Sequence, residues 1–307
     1  MISAKQVKEL REMTGAGMMD CKKALTETDG DMDKAVDFLR EKGLAAAAKK
    51  SSRVAAEGIV AAAVSEDCKI GAVVEINCET DFVAKNEDFV AFAKDVAEQV
   101  LKGKANTLEE LLEEVWIKDS AKTVKDVQTA QVAVIGENIS IRRFERLIAD
   151  DGCLAFYIHG GGKIGVMVQG KTAVVNDDIK ACLRNVAMQV AAMDPKYVDR
   201  SEVPADYLEH EKEILMAQAK EENPNKPENI IEKMITGRLN KEMKEVCLVD
   251  QAYVQGEDGI SVAKYLENVG KAAGTELSVA KFVRFKTGEG IEKRQDDFAA
   301  EVENMFK

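Results

Sequence analysis

Histidine is almost missing from this chain: His159 and His210 are the only two among 307 residues. A histidine-based catalytic triad or a multi-histidine metal site is therefore poorly supplied. A surplus of cations is missing as well. Lys and Arg number 43 against 55 Asp and Glu, a net charge of −12. That balance speaks against a protein built to grip a phosphate backbone, because such surfaces depend on dense cations that release counterions. No apolar run approaches the roughly 20 residues needed to span a bilayer, and charged residues stand where a signal peptide would carry its apolar stretch. A cytoplasmic location is the expectation. The six cysteines, Cys21, Cys68, Cys78, Cys153, Cys182 and Cys247, include no CxxC pair. They read as reduced, mostly structural thiols, not a zinc site or a disulfide framework.

What is present is enough apolar material, 46% of residues, for two or three domains of a globular protein. Residues 2–43 read as three short helices. Val7, Leu10 and Met13 fall at helical spacing, Thr14-Gly15-Ala16-Gly17 breaks the helix, and Met18, Cys21, Ala24 and Leu25 resume the period. Asp29-Gly30-Asp31 makes the next turn before Ala35, Val36, Phe38 and Leu39. The pattern is similar to a ubiquitin-associated bundle, followed by an Ala/Lys-rich helical linker at 45–52. The glycines at 15 and 17 are no dinucleotide loop, since Asp20 replaces the third glycine and a helix precedes them. Met18 and Met19 are candidate contact residues because thioethers adapt to protein surfaces, with ordinary core packing an equal alternative for each.

The remainder carries a weak internal repeat. Two β-type runs, 58–64 and 70–77, precede a helix whose later part is 88–100; two more, 153–159 and 163–169, precede a helix at 178–190. The two helices share Asp, Ala, Val-Ala and Gln-Val at equivalent positions, and each unit later supplies another β-type run, 139–144 and 277–285. The expected fold class is α+β, with two repeated subdomains, each a small antiparallel sheet covered by helices. The second unit is interrupted. Tyr207, Leu208, Ile214, Leu215 and Ala219 form one apolar side, Asn223-Pro224-Asn225-Lys226-Pro227 a helix-breaking tip, and Ile231, Ile235, Leu239 and Met243 a second side. This predicts an inserted antiparallel helical hairpin. The expected divisions are 1–54, 55–149, 150–197 with 248–285, the hairpin 198–247, and a C-terminal module 286–307.

The sharpest local feature is Cys78-Glu79-Thr80-Asp81-Phe82-Val83-Ala84, where an apolar strand ends in a polar turn bearing an aromatic. Thr80 suits an N-cap and Asp81 the first helical turn, which places Phe82 at a strand-to-helix corner. On pattern alone, burial in the core is the ordinary fate of such a phenylalanine. The segment resembles the signature of the bacterial elongation factor Ts family, the guanine-nucleotide exchange factors for elongation factor Tu. The likeness continues through Thr14 to Leu25, Ile135-Gly136-Glu137-Asn138-Ile139, His159-Gly160 to Gly165-Val166, and Gly288-Glu289-Gly290-Ile291-Glu292-Lys293. Five blocks in the family's order make chance similarity improbable. Two positions depart from the pattern: Gln189 stands where the family often has histidine, and Ala252 where proline commonly follows Gln251. Residues 106–129, including Trp116, exceed the length of shorter members.

The resemblance implies that Asp81 and Phe82 enter the GTPase domain of elongation factor Tu beside its nucleotide, dislodging magnesium, with Thr80 and Val83 as flanking contacts and the His159-Gly160 turn on the surface facing the partner; Met18 and Met19 are added as contact candidates on their own chemistry. It also implies that the hairpin is a coiled-coil insertion and that the C-terminal module touches the GTPase. No cofactor, covalent chemistry, nucleotide, nucleic acid or membrane binding is expected of the chain itself, and the hairpin's apolar stripe suits a homodimer. A phosphate loop at 159–165 fails because Tyr157 and Ile164 occupy the positions that a Walker A motif reserves for glycine and Ser/Thr. Two rivals remain: an adaptor binding ubiquitin-like domains through residues 1–43, and an enzyme using the His159 turn, which lacks a nucleophile–base set.

Overall fold

The computed structural model describes residues 2–223, 226–256 and 259–292. The hairpin tip at 224–225 and, in the C-terminal module, residues 293–307 lie outside the described residues. Helices α1 (Ala4–Thr14), α2 (Met18–Glu27) and α3 (Met32–Lys50) pack around Leu10, Cys21, Ala24, Leu25 and Ala35. Ser3 and Gln6 form a capping box on α1, and the Asp31 carboxylate caps α3. The third helix does not stop near residue 43. It runs unbroken through the Ala/Lys segment, where propensity is high and no breaker intervenes. Met13, assigned above to the apolar period, is 58% exposed.

The chain then forms β1 (Glu57–Val64), β2 (Ile70–Cys78), α4 (Asp81–Ala84), α5 (Glu87–Lys102), α6 (Leu108–Glu113), β3 (Val115–Trp116), β4 (Asp119–Thr123), α7 (Val124–Ile135) and β5 (Ser140–Ile148). The second unit is β6 (Cys153–His159), β7 (Ile164–Lys171), α8 (Asp177–Met193), α9 (Ala205–Glu222), α10 (Glu228–Val246), α11 (Val262–Ala272) and β8 (Ser278–Lys286). Each unit holds an antiparallel three-stranded sheet, β1-β2-β5 and β6-β7-β8, so the repeat inferred from the helices extends to strand order. A third, two-stranded sheet pairs β3 with β4.

The two larger sheets lie back to back. Val60, Val73 and Leu147 of the first meet Leu154, Met167, Val283 and Phe285 of the second. The opposite face of the first sheet, with Ala72, Val74 and Ile76, packs on Phe89, Phe92 and Val96 of α5. In the second, Val166 and Val168 pack on Leu183, Val186 and Val190 of α8. Covered on both faces, β2 is buried at every position after Ile70, which explains an apolar run instead of strict alternation.

Glu75 and Asn77 are the polar exceptions on β2, and Glu75 is fully buried. Its carboxylate accepts from Arg142 Nη1 at 3.0 Å, Arg143 Nε at 2.6 Å and the backbone N–H of Gly288 at 2.7 Å. The guanidinium of Arg143 also lies 4.4 Å over the Phe285 ring. One buried carboxylate thus ties the end of β8 to the first sheet, its charge matched by two guanidiniums.

Residues 106–129, whose role the sequence left open, form α6, the β3–β4 hairpin and the start of α7. Trp116 is only 6% exposed and stacks obliquely on Phe92 at 6.3 Å. The outer face of α7 receives α3: Arg40 pairs with Asp126 at 2.8 Å, and Gly43 sits so close that a Cβ there would lie 3.3 Å from that of Ala133.

In the inserted hairpin, Ala219, Ile231 and Ile235 form a distal cluster with Leu215. Val203, Met243 and Cys247 form a basal one with Tyr207 and Leu208. Ile214, assigned to the apolar seam, instead faces outward at 37% exposure. The hairpin is anchored where Lys196 and Tyr197 both donate their N–H to Val246 O, and where Arg200 bridges Asp250 and Asn240.

Candidate functional site

The corner after β2 is built from the backbone outward. Thr80 is in extended conformation and its hydroxyl accepts the Val83 N–H at 3.3 Å, as the capping pattern requires. The helix it starts is a single turn, Asp81–Ala84, where a continuous helix to Val100 was expected. Asn86 breaks it, because its side-chain oxygen accepts the N–H groups of Asp88 and Phe89 and starts α5 anew. Ala84 is buried and anchors the turn, while Phe82 is 82% exposed. Burial of Phe82 in the core, the ordinary expectation for an aromatic, is thereby overturned. The short helix turns its ring away from the sheet, and Phe89 fills the core in its place at 0% exposure.

Asp81 pairs with Lys85 at 2.7 Å, a hydrogen bond that holds its carboxyl below the usual carboxylate range. Beneath the corner, Cys78 donates to Thr80 O at 3.2 Å. Burial, reinforced by the field of Glu137, pushes its thiol up to about 12, so it stays protonated near neutrality.

Glu137 and Asn138 reach this corner from the end of α7. One Glu137 oxygen accepts the N–H groups of Glu79 and Thr80, each at 3.0 Å, and the other accepts the Thr80 hydroxyl at 2.6 Å. In return the Glu79 carboxylate accepts the Asn138 N–H at 2.6 Å and faces Arg53 at 3.4 Å. Asn138 donates its side-chain N–H to Arg53 O at 2.8 Å, joining the segment after α3 to the same network.

His159 ends β6 and is exposed, its Nδ1 in hydrogen-bond contact with Tyr157 Oη at 3.1 Å. Gly160, Gly161 and Gly162 follow, all with positive φ, in the turn that joins β6 to β7. Gly162 is required twice over: its φ is +101°, and a Cβ would lie 2.7 Å from that of Ile59. Its carbonyl accepts the Val60 N–H at 2.7 Å and the Thr287 hydroxyl at 2.9 Å.

The turn and the corner converge on Glu57. Glu57 is opposite Cys78 in the β1–β2 register, and its carboxylate holds Lys163 at 2.6 Å. Both charges act on Asp81. Met18 and Met19, at the start of α2, are exposed at 58% and 73%, so neither is a core residue. They stand on a separate three-helix body, with α3 and the network at Arg53 as its route to the corner. The residues missed from sequence are Glu57, Lys163 and above all Glu137. A partner 57 positions away leaves no local pattern, although Glu137 lies within a block already noted for its resemblance.

Among the described residues no group of three or more His, Cys, Asp or Glu side chains is arranged to hold a metal ion. No described helix is long and apolar enough to cross a membrane.

A family model described as Elongation factor TS matches residues 79–289, beginning at the corner itself. A protein of Clostridium perfringens named Elongation factor Ts is 56% identical over 305 residues, covering 99% of both chains. Its namesake in Clostridium botulinum is 55% identical over 308 residues, and that in Clostridium novyi 52% over 306, with 100% of this chain and 99% of each relative covered. Likeness at this level, spanning both repeats, the hairpin and the N-terminal helices, shows that the chain belongs to the elongation factor Ts family.

Proposed function

We propose that this translation elongation factor binds elongation factor Tu in the cytoplasm and promotes GDP release by pressing the Asp81-Phe82 corner into the GTPase near its magnesium and nucleotide. The observation carrying this reading is Phe82, held 82% exposed on a one-turn helix whose backbone is tied down on both sides. A soluble protein gains nothing for itself by presenting a whole aromatic ring to water. Buried in a partner, the ring contributes about 1.5–3 kcal/mol, enough to shift elements that hold a nucleotide. Coupling then does the work: a partner that weakens GDP binding is itself weakened by GDP to the same factor, so the exchange needs no covalent step.

Asp81, ionised at neutral pH and hydrogen-bonded to Lys85, brings a negative charge to the invading corner, where it competes for polar groups around the metal. Thr80 and Val83 set the backbone of that corner. The His159-Gly160 turn, sharing Glu57 with it, and the exposed Met18 and Met19 extend the contact surface. The chain itself carries out nucleotide exchange and no bond-making chemistry.

The test is release of fluorescent GDP from purified elongation factor Tu. The wild-type chain should accelerate release, and Phe82→Ala should lose about 30-fold or more of that acceleration, the loss expected for a central aromatic anchor worth at least 2 kcal/mol. Full stimulation by Phe82→Ala would sink the reading. Calorimetry of the isolated chain with GDP should show no saturable binding at micromolar concentration, since Tyr157 and Ile164 break the Walker A pattern around the glycine turn.

A further inference from the structure

We propose that Glu137 is a positioning residue for nucleotide exchange: its carboxylate fixes the corner that presents Phe82. The inference rests on the exchange reading above and adds the group that makes the exposed aromatic an organised one. A one-turn helix has no stability of its own, and an aromatic that is 82% exposed contributes almost no packing to hold it in place. Ala84 seats the end of the turn in the core, and its entry needs a separate tie.

Glu137 meets that need with three hydrogen bonds. The Glu79 and Thr80 N–H groups, the last two donors before α4, both point at Oε2, and the Thr80 hydroxyl donates to Oε1 at 2.6 Å. Because that hydroxyl spends its proton on Glu137, its lone pair is aimed at the Val83 N–H, the bond that closes the helix cap. Removal of Glu137 therefore loosens the entry to α4 and leaves the cap without orientation, while Ala84 and the β2 core beneath remain.

Glu137 is itself well placed. It follows Gly136, whose φ of +86° ends α7 with an N–H bond to Val132 O. Its neighbour Asn138 is gripped by the Glu79 carboxylate at 2.6 Å. The two segments exchange carboxylates, Glu137 to the backbone of Glu79 and Glu79 to the backbone of Asn138, so the corner is braced against the end of α7. A corner ordered in advance loses less freedom when a partner closes on it.

The experiment uses the full chain with Glu137→Gln, Glu137→Ala, Phe82→Ala and the Glu137→Ala/Phe82→Ala double variant. GDP release from elongation factor Tu is measured over a range of chain concentrations, and amide hydrogen exchange is followed at Val83 and Ala84. Glu137→Ala should lower the saturating rate about 10-fold or more, the order expected when an active group is displaced by a fraction of an ångström to 1 Å. The half-saturating concentration should stay within about two-fold, because the remaining surface still docks, and the glutamine, which keeps the acceptor for the two N–H groups, should recover part of the rate. Amides 83 and 84 should exchange faster in Glu137→Ala while the β2 amides do not. In the Phe82→Ala background, Glu137→Ala should cost nothing further, since both act through one ring.

Unchanged protection at 83 and 84, or an equal added loss in the Phe82→Ala background, overturns the proposal. If Phe82→Ala leaves exchange intact while Glu137→Ala still loosens the corner, the exchange reading fails and the positioning of the corner stands. If Glu137→Ala does not fold, the isosteric glutamine carries the same two measurements alone and in the Phe82→Ala background.

Discussion

The two repeats leave their middle strands in different ways. In the second, β7 ends at Lys171, four residues pass, and Asn176 caps α8. In the first, β2 ends at Cys78, and seven residues, Glu79 to Lys85, pass before Asn86 caps α5. Both caps are asparagines, accepting N–H groups from the first turn of equivalent helices. The three extra residues of the first junction make room for α4 and Phe82. Where the scaffold is the same, the difference between a bare connection and a projecting aromatic is a short insertion braced from outside by Glu137.

Deeper in the same helices the repeats agree. Gln99 and Gln189, at matching positions, are 2% and 0% exposed. Gln99 donates to Val115 O and accepts the Ile117 N–H; Gln189 donates to Ala252 O and accepts the Val254 N–H. Each carboxamide thus clips the carbonyl and the N–H of residues two apart, as a strand neighbour would. Ala252 takes part through its backbone carbonyl, so the clip by Gln189 does not depend on the side chain at 252.

The contrast between the two aromatics of the first repeat gives the largest expected effect. Phe89→Ala should cost about 3–5 kcal/mol, as for a fully buried ring, whereas Phe82→Ala should stay within about 0.5 kcal/mol. Urea unfolding followed by circular dichroism measures both. Equal losses at the two positions would return Phe82 to the core.

The paired glutamines come next. Gln189→Leu leaves the Val254 N–H and Ala252 carbonyl without their partner, a loss of about 1–3 kcal/mol, and Gln99→Leu should cost a similar amount through Ile117 and Val115. Calorimetric or urea unfolding reads the pair side by side. A loss at one position only would show that the clips are not equivalent.

Periodicity and repeat spacing made much of this architecture legible. The three N-terminal helices, the two β-hairpins, helices α5 and α8, the closing strands and the inserted hairpin all follow from apolar spacing and breakers, because each is a local pattern. Residues 106–129 were not legible, since β3 is two residues long and Trp116 finds its place only against Phe92. The Ala/Lys run reads as a helical linker and is helical, but its fusion with the third helix into one α3 emerges only where α7 supplies a surface for Gly43. At the site, Thr80 as cap and Asp81 in the first turn were readable. The outward direction of Phe82 was not, because the break at Asn86 and the grip of Glu137 decide it.

A third prediction sets the inserted hairpin against the repeat that carries it. Its distal cluster of Leu215, Ala219, Ile231 and Ile235 is internal to the two arms, while the basal cluster joins the body. Replacing residues 211–239 with a short Gly/Ser turn keeps Tyr207, Leu208 and Met243 and should leave unfolding of the sheets almost unchanged. Exchange on elongation factor Tu should survive in part. Ile214 and Ile230 are 37% and 39% exposed, and as proposed contacts to a second copy they predict that any self-association seen by sedimentation weakens in the shortened chain. Unfolding of the whole chain would refute the appendage, while an intact fold with unchanged association would remove only the dimer role.

The smallest expected effect separates the charge of the first junction from its shape. Lys85 hydrogen-bonds Asp81 and lowers its carboxyl below the ordinary 3.8. A depressed folded pKa contributes stability that is present in full above the unfolded value and disappears as pH falls through the folded one. Between pH 6 and 8 the pair is therefore constant, and neither folding nor exchange should change with pH on its account. Lys85→Ala should move the Asp81 carboxyl upward, toward 3.8, in a carbon-detected NMR titration, while Asp81 remains ionised at neutral pH. Exchange by Lys85→Ala should then stay close to wild type, because the aspartate still carries its charge and the Thr80–Glu137 bonds still hold the backbone. A large loss in that variant, with Val83 amide protection unchanged, would show that the lysine itself meets the partner, and would shift the comparison of the two junctions from an exposed ring to an exposed ion pair.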